Sequence, residues 1–372
     1  MLSVATGRAT PYYYQRDGNR EAYIRSGNET IPAPEHIVRE LVLKGTGSTF
    51  DTIVSNARKS DYSFTLLEAM DLDRLNIHFQ ASDYYSFGLT DGKGNLTNAG
   101  RLMADQYIVQ NSRLFCTRWN GLTRGSIFDD ALDAKEYEGS LLKLLEGGQG
   151  FIKTNSKTRF IKSSVGRINK PDYSERAVLE ALVNALIHRD YFIVGSEVQI
   201  HMYDDRLEIQ SPGGMFEGGP IQDRNITEIG SIRRNPVLAD LFHRLRFMER
   251  RGSGLSKIVD ETERLPGYEP SLKPSFHSTT SDFRVVLKNM NYRLSLDPEQ
   301  ATPQATPQVK ESQILEFCKI PRAKREIVKY FDYKDVWHFY RRYIEPLVES
   351  GKLLMTIPDK PKSPLQKYVA AT

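Results

Sequence analysis

Cysteine is nearly absent from this chain, with two residues in 372, Cys116 and Cys318. They lie far apart with no CxxC and no histidine-rich context, so neither a disulfide framework nor a zinc site is indicated. Both read as reduced packing residues. Long apolar runs are also missing: every candidate is short and broken by charge, which excludes a span of about 20 apolar residues across a membrane. The opening MLSVATGRATPYYY lacks the apolar core of a secretory leader, so a cytoplasmic location is expected. No GxxxxGK[ST] loop occurs, since Gly147-Gly148-Gln149-Gly150 has no GK[ST] ending, and a helicase is not predicted. His188-Arg189-Asp190 copies the kinase catalytic-loop triplet. The metal-binding Asn that follows in such loops is replaced by Gly195, and no Gly-rich loop or partner lysine precedes it, which excludes a kinase.

The length and a hydrophobic content of 39% predict two or three domains with real cores. The net charge is only +4, but its excess is local. From Lys310 to Thr372 there are 13 Lys and Arg against 8 Asp and Glu, which leaves 38 against 39 for everything before. Such an excess suits a nucleic-acid-binding appendage and also an ordinary solvated face.

The stretch from Asp172 to Gly195, DYSERAVLEALVNALIHRDYFIVG, has the pattern most suited to chemistry. Read as a helix from about Ser174, it places Ala177, Val178, Ala181, Leu182, Val183, Ala185, Leu186 and Ile187 over most of its circumference, which predicts burial on several sides. Arg176, Glu180, Asn184 and His188 recur every four residues and share one polar stripe. That stripe is either a solvent edge or a ligand face. In the second case Glu180 orients water and Asn184 offers an amide oxygen to a hard cation such as magnesium.

Elsewhere the pattern is mixed. Residues 1–60 contain a strand-like EAYIRSG, a turn at Gly27-Asn28 and a helix opened by Pro34. From 61 to 140 the reading is a connecting α/β region, in which Thr97 or Asn98 caps a helix carrying Leu102, Met103 and Tyr107, followed by the strand SRLFCTRWNG. His78 there is a packing or surface residue. After the long helix the period switches to two: EVQIHMY, an Asp204-Asp205 turn and RLEIQ predict a hairpin. It ends in Ser211-Pro212-Gly213-Gly214, a turn whose glycines let another group approach the backbone, or a simple loop. Asn235-Pro236 starts a further helix. Arg251-Gly252-Ser253-Gly254 opens another, whose free amides and dipole suit phosphate.

Together these pieces resemble the nucleotide-binding boxes of the GHKL ATPase fold. Glu180-xxx-Asn184-Ala185 looks like its N box, which implies Glu180 as general base in a hydrolysing member and Asn184 as the magnesium ligand. Ser211-Pro212-Gly213-Gly214 stands at the first glycine box and Gly252-Ser253-Gly254-Leu255 at the second. The resemblance implies a bound Mg-ATP, contacted by Asn184, His188, Gly213, Gly214, Gly252, Ser253 and Gly254. Where the family carries an Asp for the adenine amino group, this chain offers Gln210 or Ser211, so binding with little or no turnover is expected. More narrowly, ALVNALIHRDY, DRLEIQSPGG, RRNP and ERRGSGL resemble bacterial RecG-like transcriptional regulators, which join a Schlafen/AlbA-type domain to a divergent GHKL domain. The YYQRDG strand and proline-bounded helix near the start are similar to the closing third of the Schlafen/AlbA-type domain, without the acidic positions of its nuclease members, so no nuclease is predicted.

The tail follows a linker, LDPEQATPQATPQVKES, with a repeated ATPQ. Helices at 312–319, 322–331 and 335–349, a strand LLMTI, a turn DKPKSP and a strand QKYVA predict a winged helix. In that geometry Trp337, His338, Arg341 and Arg342 enter a major groove of double-stranded DNA, and Lys360, Lys362 and Lys367 meet phosphates. The alternative is a docking module with Trp337, Phe339 and Tyr343 in its core. The expected fold class is a multidomain α+β chain, with a GHKL-like α/β sandwich at 141–290, a linker at 291–311 and the winged helix at 312–372. The expected function is a DNA-binding transcriptional regulator that senses nucleotide. The rivals are a weak ATPase using Glu180 and a non-catalytic protein-interaction scaffold. A homodimer is expected from the two half-sites that such regulators read.

Overall fold

The computed structural model describes residues 10–26, 29–127, 130–163, 166–216, 219–230, 232–249, 254–292, 311–331, 339–358, 363 and 366–371. The chain divides into two compact units, Met1–Arg293 and Leu294–Thr372. Both mix helices and sheets, so the chain is α+β and multidomain as expected.

The first unit opens with an antiparallel meander, β1 (Tyr13–Arg16), β2 (Asn19–Ser26) and β3 (Glu29–Pro32). Its first turn is Asp17-Gly18, both at positive φ, the conformation that tight hairpins demand. Pro34 then takes the position just ahead of α1 (Glu35–Gly45). Strand β4 (Val54–Arg58), helices α2 (Thr65–Leu75) and α3 (Ala81–Ser86), strand β5 (Asn95–Thr97) and helix α4 (Asn98–Met103) follow, with β4 paired to β5. Of the two candidate caps for α4 it is Thr97 that serves, its hydroxyl accepting from the Gly100 amide at 3.1 Å. The helix ends at Met103 instead of running on to Tyr107.

The centre is one six-stranded sheet. In chain order its surroundings are β6 (Arg113–Trp119), β7 (Ala131–Glu138), α5 (Leu141–Asn155), the separate hairpin β8 (Thr158–Ser163) and β9 (Gly166–Pro171), α6 (Glu175–Ile187), β10 (Val198–Met202), β11 (Arg206–Pro212), α7 (Pro236–Arg244), α8 (Gly254–Glu263), β12 (Ser275–Ser278) and β13 (Asp282–Lys288). The strand order is β12-β13-β11-β10-β6-β7. Only β6 and β10 are parallel, and the long crossover between them carries α5 and α6. Strands β6 and β7 precede residue 141, so the sheet takes in the last part, from Arg113 to Glu138, of the stretch that the sequence reads as connecting. The side chains of α5 and α6 that join the core include Leu142, Leu145, Phe151, Ala181 and Leu182, packed with Leu114 and Ile200. Gly148 permits this closeness, because a Cβ there would lie 2.9 Å from Leu114 and 3.2 Å from Ile200. In β10, Val198, Ile200 and Met202 are buried as the period of two predicts. His201, on the opposite face of the strand, is buried too, its Nδ1 accepting from the Trp119 indole at 3.1 Å.

Two buried aspartates fasten α7. Asp51 accepts from the first-turn amides of Val237 (2.7 Å) and Leu238 (3.1 Å), an N-terminal cap supplied from a remote segment. Asp71 on α2 takes a fork from Arg244, at 3.1 Å to each oxygen.

The second unit has α9 (Glu311–Phe317), β14 (Arg322–Ala323), α10 (Lys324–Tyr330), a π-turn at Tyr340–Ile344 that leads into α11 (Glu345–Glu349), β15 (Leu353–Met355) and β16 (Lys367–Ala370). The sheet order is β14-β16-β15, antiparallel throughout. Ile314, Ile327, Phe339, Leu347 and Tyr368 belong to its core. The helix expected from Arg322 begins at Lys324, because Arg322 and Ala323 pair with β16. The π-turn precedes Pro346, which lacks the amide that would bond the Arg342 carbonyl.

Candidate functional site

Helix α6 begins at Ser174, whose hydroxyl caps the Ala177 amide at 3.3 Å. Its apolar residues bury as predicted, and three of the four residues of its polar stripe do not face open water. Glu180, Asn184 and His188 line a cavity together with Gly213 and Gly214 of the turn after β11 and Gly254 at the start of α8. The remaining predicted residues of this set, Gly252 and Ser253, lie outside the described residues. Arg176, the fourth member of the stripe, points elsewhere and lies 3.8 Å from Glu261.

Each glycine has a steric reason. Gly213 is at φ +95°, and a Cβ there would fall 2.5 Å from that of Asp190. A Cβ on Gly214 would overlap the Thr279 carbonyl oxygen. A Cβ on Gly254 would lie 2.8 Å from Glu180 Oε1 and 3.0 Å from Asn184 Nδ2, so the start of α8 rests directly on the carboxylate and amide of α6.

Glu180 is buried, and burial raises its carboxyl above the usual range. Lys257 opposes that rise from 3.7 Å, but it is shared with Glu249 at 3.0 Å. Asn184 also hydrogen-bonds Glu180, which leaves its amide oxygen as the group offered to the cavity. His188 is pushed down to about 4, first by burial and then by Arg234 and Arg233, so its ring is neutral at neutral pH. The floor is apolar, with Ile209, Phe283 and Val285 among its residues.

Of the two residues at the missing Asp position, Ser211 lines the cavity and Gln210 does not, as expected for neighbours on a strand. The Ser211 hydroxyl donates to the Ala185 carbonyl at 2.7 Å. No aspartate lines the cavity among the described residues.

Arg234 was not singled out by sequence reasoning as a site residue. It is buried and reaches three segments at once: the His188 carbonyl (2.9 Å), the Gly214 carbonyl (3.2 Å) and Glu40 on α1 (2.8 Å). Lys257 was also missed. A lysine inside an amphipathic helix gives no local sign of its partner, whereas the RRNP run was at least visible as a motif.

For the tail, Trp337, His338, Lys360 and Lys362 lie outside the described residues, as do the side chains of Arg341 and Arg342. Lys367 is exposed on β16. Phe339, named for the alternative core, is fully buried.

Residues 195–287 are similar to the family described as "Putative ATP-dependent DNA helicase recG C-terminal". With the α+β architecture, this supports a RecG-like, GHKL-type domain with an ATPase-like fold. Residues 308–370 are similar to the family described as "Filamentation induced by cAMP protein Fic-like, C-terminal domain". Among solved structures, the chain is similar to the DIP2311 protein from Corynebacterium diphtheriae, with 18% identity and a TM-score of 0.53. That likeness, one of fold, covers 90% of this chain and 66% of the other, so this chain spans just under two thirds of its length. No curated protein matches the sequence.

Proposed function

We propose that the cavity binds an adenine nucleotide with magnesium and turns it over slowly or not at all, and that its occupancy governs DNA binding by the second unit. The chain would then act as a cytoplasmic transcriptional regulator. The observation that carries this reading is the convergence of Glu180, Asn184, His188, Gly213, Gly214 and Gly254 on one cavity from three separate segments. The similarity of residues 195–287 to an ATPase-like family supports it.

The donor set suits magnesium of one particular kind. Among the described residues no three His, Cys, Asp or Glu side chains cluster as a metal cage. Magnesium keeps much of its water and takes one or two protein oxygens beside phosphate, a demand that Asn184 can meet. Bound there, the ion would screen phosphate charge. The protein's own part is to position: Arg234 holds the Gly214 and His188 carbonyls, and the neutral His188 ring offers a hydrogen bond, not a positive charge, to the ligand.

Slow turnover follows from Glu180. A general base must direct one of its own lone pairs at a proton of the attacking water; this carboxylate lies against Gly254 and shares its lone pairs with Lys257 and Asn184, which slows that step without closing the carboxylate to a ligand. DNA binding is supported by the basic excess of the tail and by its order of helices and antiparallel strands. No helix among the described residues is long and apolar enough to cross a membrane.

Calorimetric titration with a non-hydrolysable ATP analogue and magnesium tests the reading. Saturable binding is expected from the native chain, and loss of most of it from a folded Asn184→Ala variant. No binding by either protein would reject it. The ATPase alternative rests on the same Glu180 and requires phosphate release that Glu180→Gln abolishes.

A further inference from the structure

Between α5 and α6 the chain leaves the central sheet and forms the β8–β9 ribbon, which among the described residues pairs only with itself. From Lys153 to Lys170 it carries six Lys and Arg and no Asp or Glu. In the register of the hairpin Arg159 lies opposite Lys170, and Lys162 opposite Arg167. Like charges directly across a strand pair repel, and a directly opposed pair of this kind destabilises a hairpin unless an anion lies nearby. None of these four side chains is ion-paired to a described carboxylate. Apolar side chains are interleaved with them: Phe160 is 50% exposed, Ile161 48% and Ile168 44%. The Arg167 guanidinium stacks 3.9 Å above the Phe160 ring.

The root of the ribbon is held firmly. Asp172 accepts from the Lys157 amide at 2.8 Å, and Asn291 donates to Asp172 and to the Lys170 carbonyl at 2.8 and 3.0 Å. The exposed side chains are therefore displayed from a fixed base. Alternation puts Arg159, Lys170, Ile161 and Ile168 on one face, and Lys162, Arg167 and Phe160 on the other. Each face has both charge and apolar surface. A membrane would favour one apolar face and one basic face; a polyanionic groove with two walls suits this ribbon better. A two-stranded ribbon fits the major groove of B-form DNA, about 12 Å wide, whose walls are lined by phosphates.

The geometry points to the β8–β9 ribbon as a double-stranded-DNA contact in the first unit, with Arg159, Lys162 and Arg167 meeting phosphates. It shares its partner class with the reading above but not its site. Three residues separate it from the helix that bears Glu180 and Asn184, which places a DNA contact next in the chain to the cavity.

The test uses the full chain and fluorescence anisotropy of a short labelled duplex, titrated at several salt concentrations between about 50 and 200 mM. The variant Arg159→Ala/Lys162→Ala/Arg167→Ala alters exposed or half-exposed positions, and unchanged melting is its folding control. We expect weaker binding, on the order of tenfold at the low-salt end, and a slope of log affinity against log salt that is shallower by about 2 to 3. Arg159→Lys/Arg167→Lys, which keeps the charge, is expected to bind like the native chain. An affinity and slope unchanged by the triple substitution would overturn the proposal; loss of binding in a parallel Arg341→Ala/Arg342→Ala chain would then leave the tail reading standing. A native chain that binds phosphatidylglycerol vesicles but no duplex would overturn it as well.

Discussion

Asp71 and Glu180 are both buried carboxylates on helices of the same unit, and each faces a basic side chain on a later helix. Their surroundings differ in completeness. Arg244 covers both oxygens of Asp71 at 3.1 Å, whereas Lys257 stands 3.7 Å from Glu180 and gives its shorter contact to Glu249. Asp51 belongs with Asp71, since two amides of α7 meet one of its oxygens. The comparison separates two uses of a buried charge. Where geometry satisfies it, the charge joins elements together; where satisfaction is partial and a cavity lies alongside, the charge is available to a ligand.

The largest effect should come from breaking the satisfied pair. Asp71→Ala leaves Arg244 without its fork and is expected to cost about 3 to 5 kcal/mol, read by urea unfolding, with no change in the affinity of any chain that still folds. Gly213→Ala attacks the other side of the comparison. It combines a positive φ with a Cβ 2.5 Å from Asp190, so a loss of about 1 to 3 kcal/mol is expected together with loss of nucleotide binding. Asp51→Ala should cost about 1 to 2 kcal/mol through the uncapped α7, again without effect on binding.

The smallest effect is one of pH. Burial raises Glu40 from an ordinary 4.5 to about 7, with Arg234 opposing. Between those values the folded chain holds a proton that the unfolded chain has released, so this residue lowers stability as pH rises through that window. Burial moves His188 and His201 the other way, from 6.5 to about 4, and they lower stability as pH falls across the same range. The slopes oppose each other. Glu40→Gln removes one of them, so unfolding midpoints at pH 5, 6 and 7 should climb more steeply with pH in the variant than in the native chain.

What could be read from sequence was local. The apolar wrap of α6, its Glu180-Asn184-His188 stripe, the β10–β11 hairpin and the glycine turn after it all depend on spacing within one stretch, and all stand where expected. Contacts between distant segments were not legible. Asp51 caps a helix from across the chain, and Arg234 joins α1 to the glycine turn; neither leaves a periodic trace. Short elements failed as well. Strand β14 is two residues long and exists only through its pairing with β16, and α4 ends at Met103 although the next residue, Ala104, is still buried. The β8–β9 ribbon escaped notice because exposed, charged strands lack the apolar alternation by which strands are recognised.

The most direct test of the central claim measures two properties of two variants side by side: urea unfolding, and binding of the ATP analogue with magnesium, for Asp71→Asn and Asn184→Ala. The account predicts a clean separation, with Asp71→Asn less stable yet binding normally, and Asn184→Ala normally stable yet unable to bind. An Asn184→Ala chain that binds as the native chain does, or that loses stability as Asp71→Asn does, would contradict it.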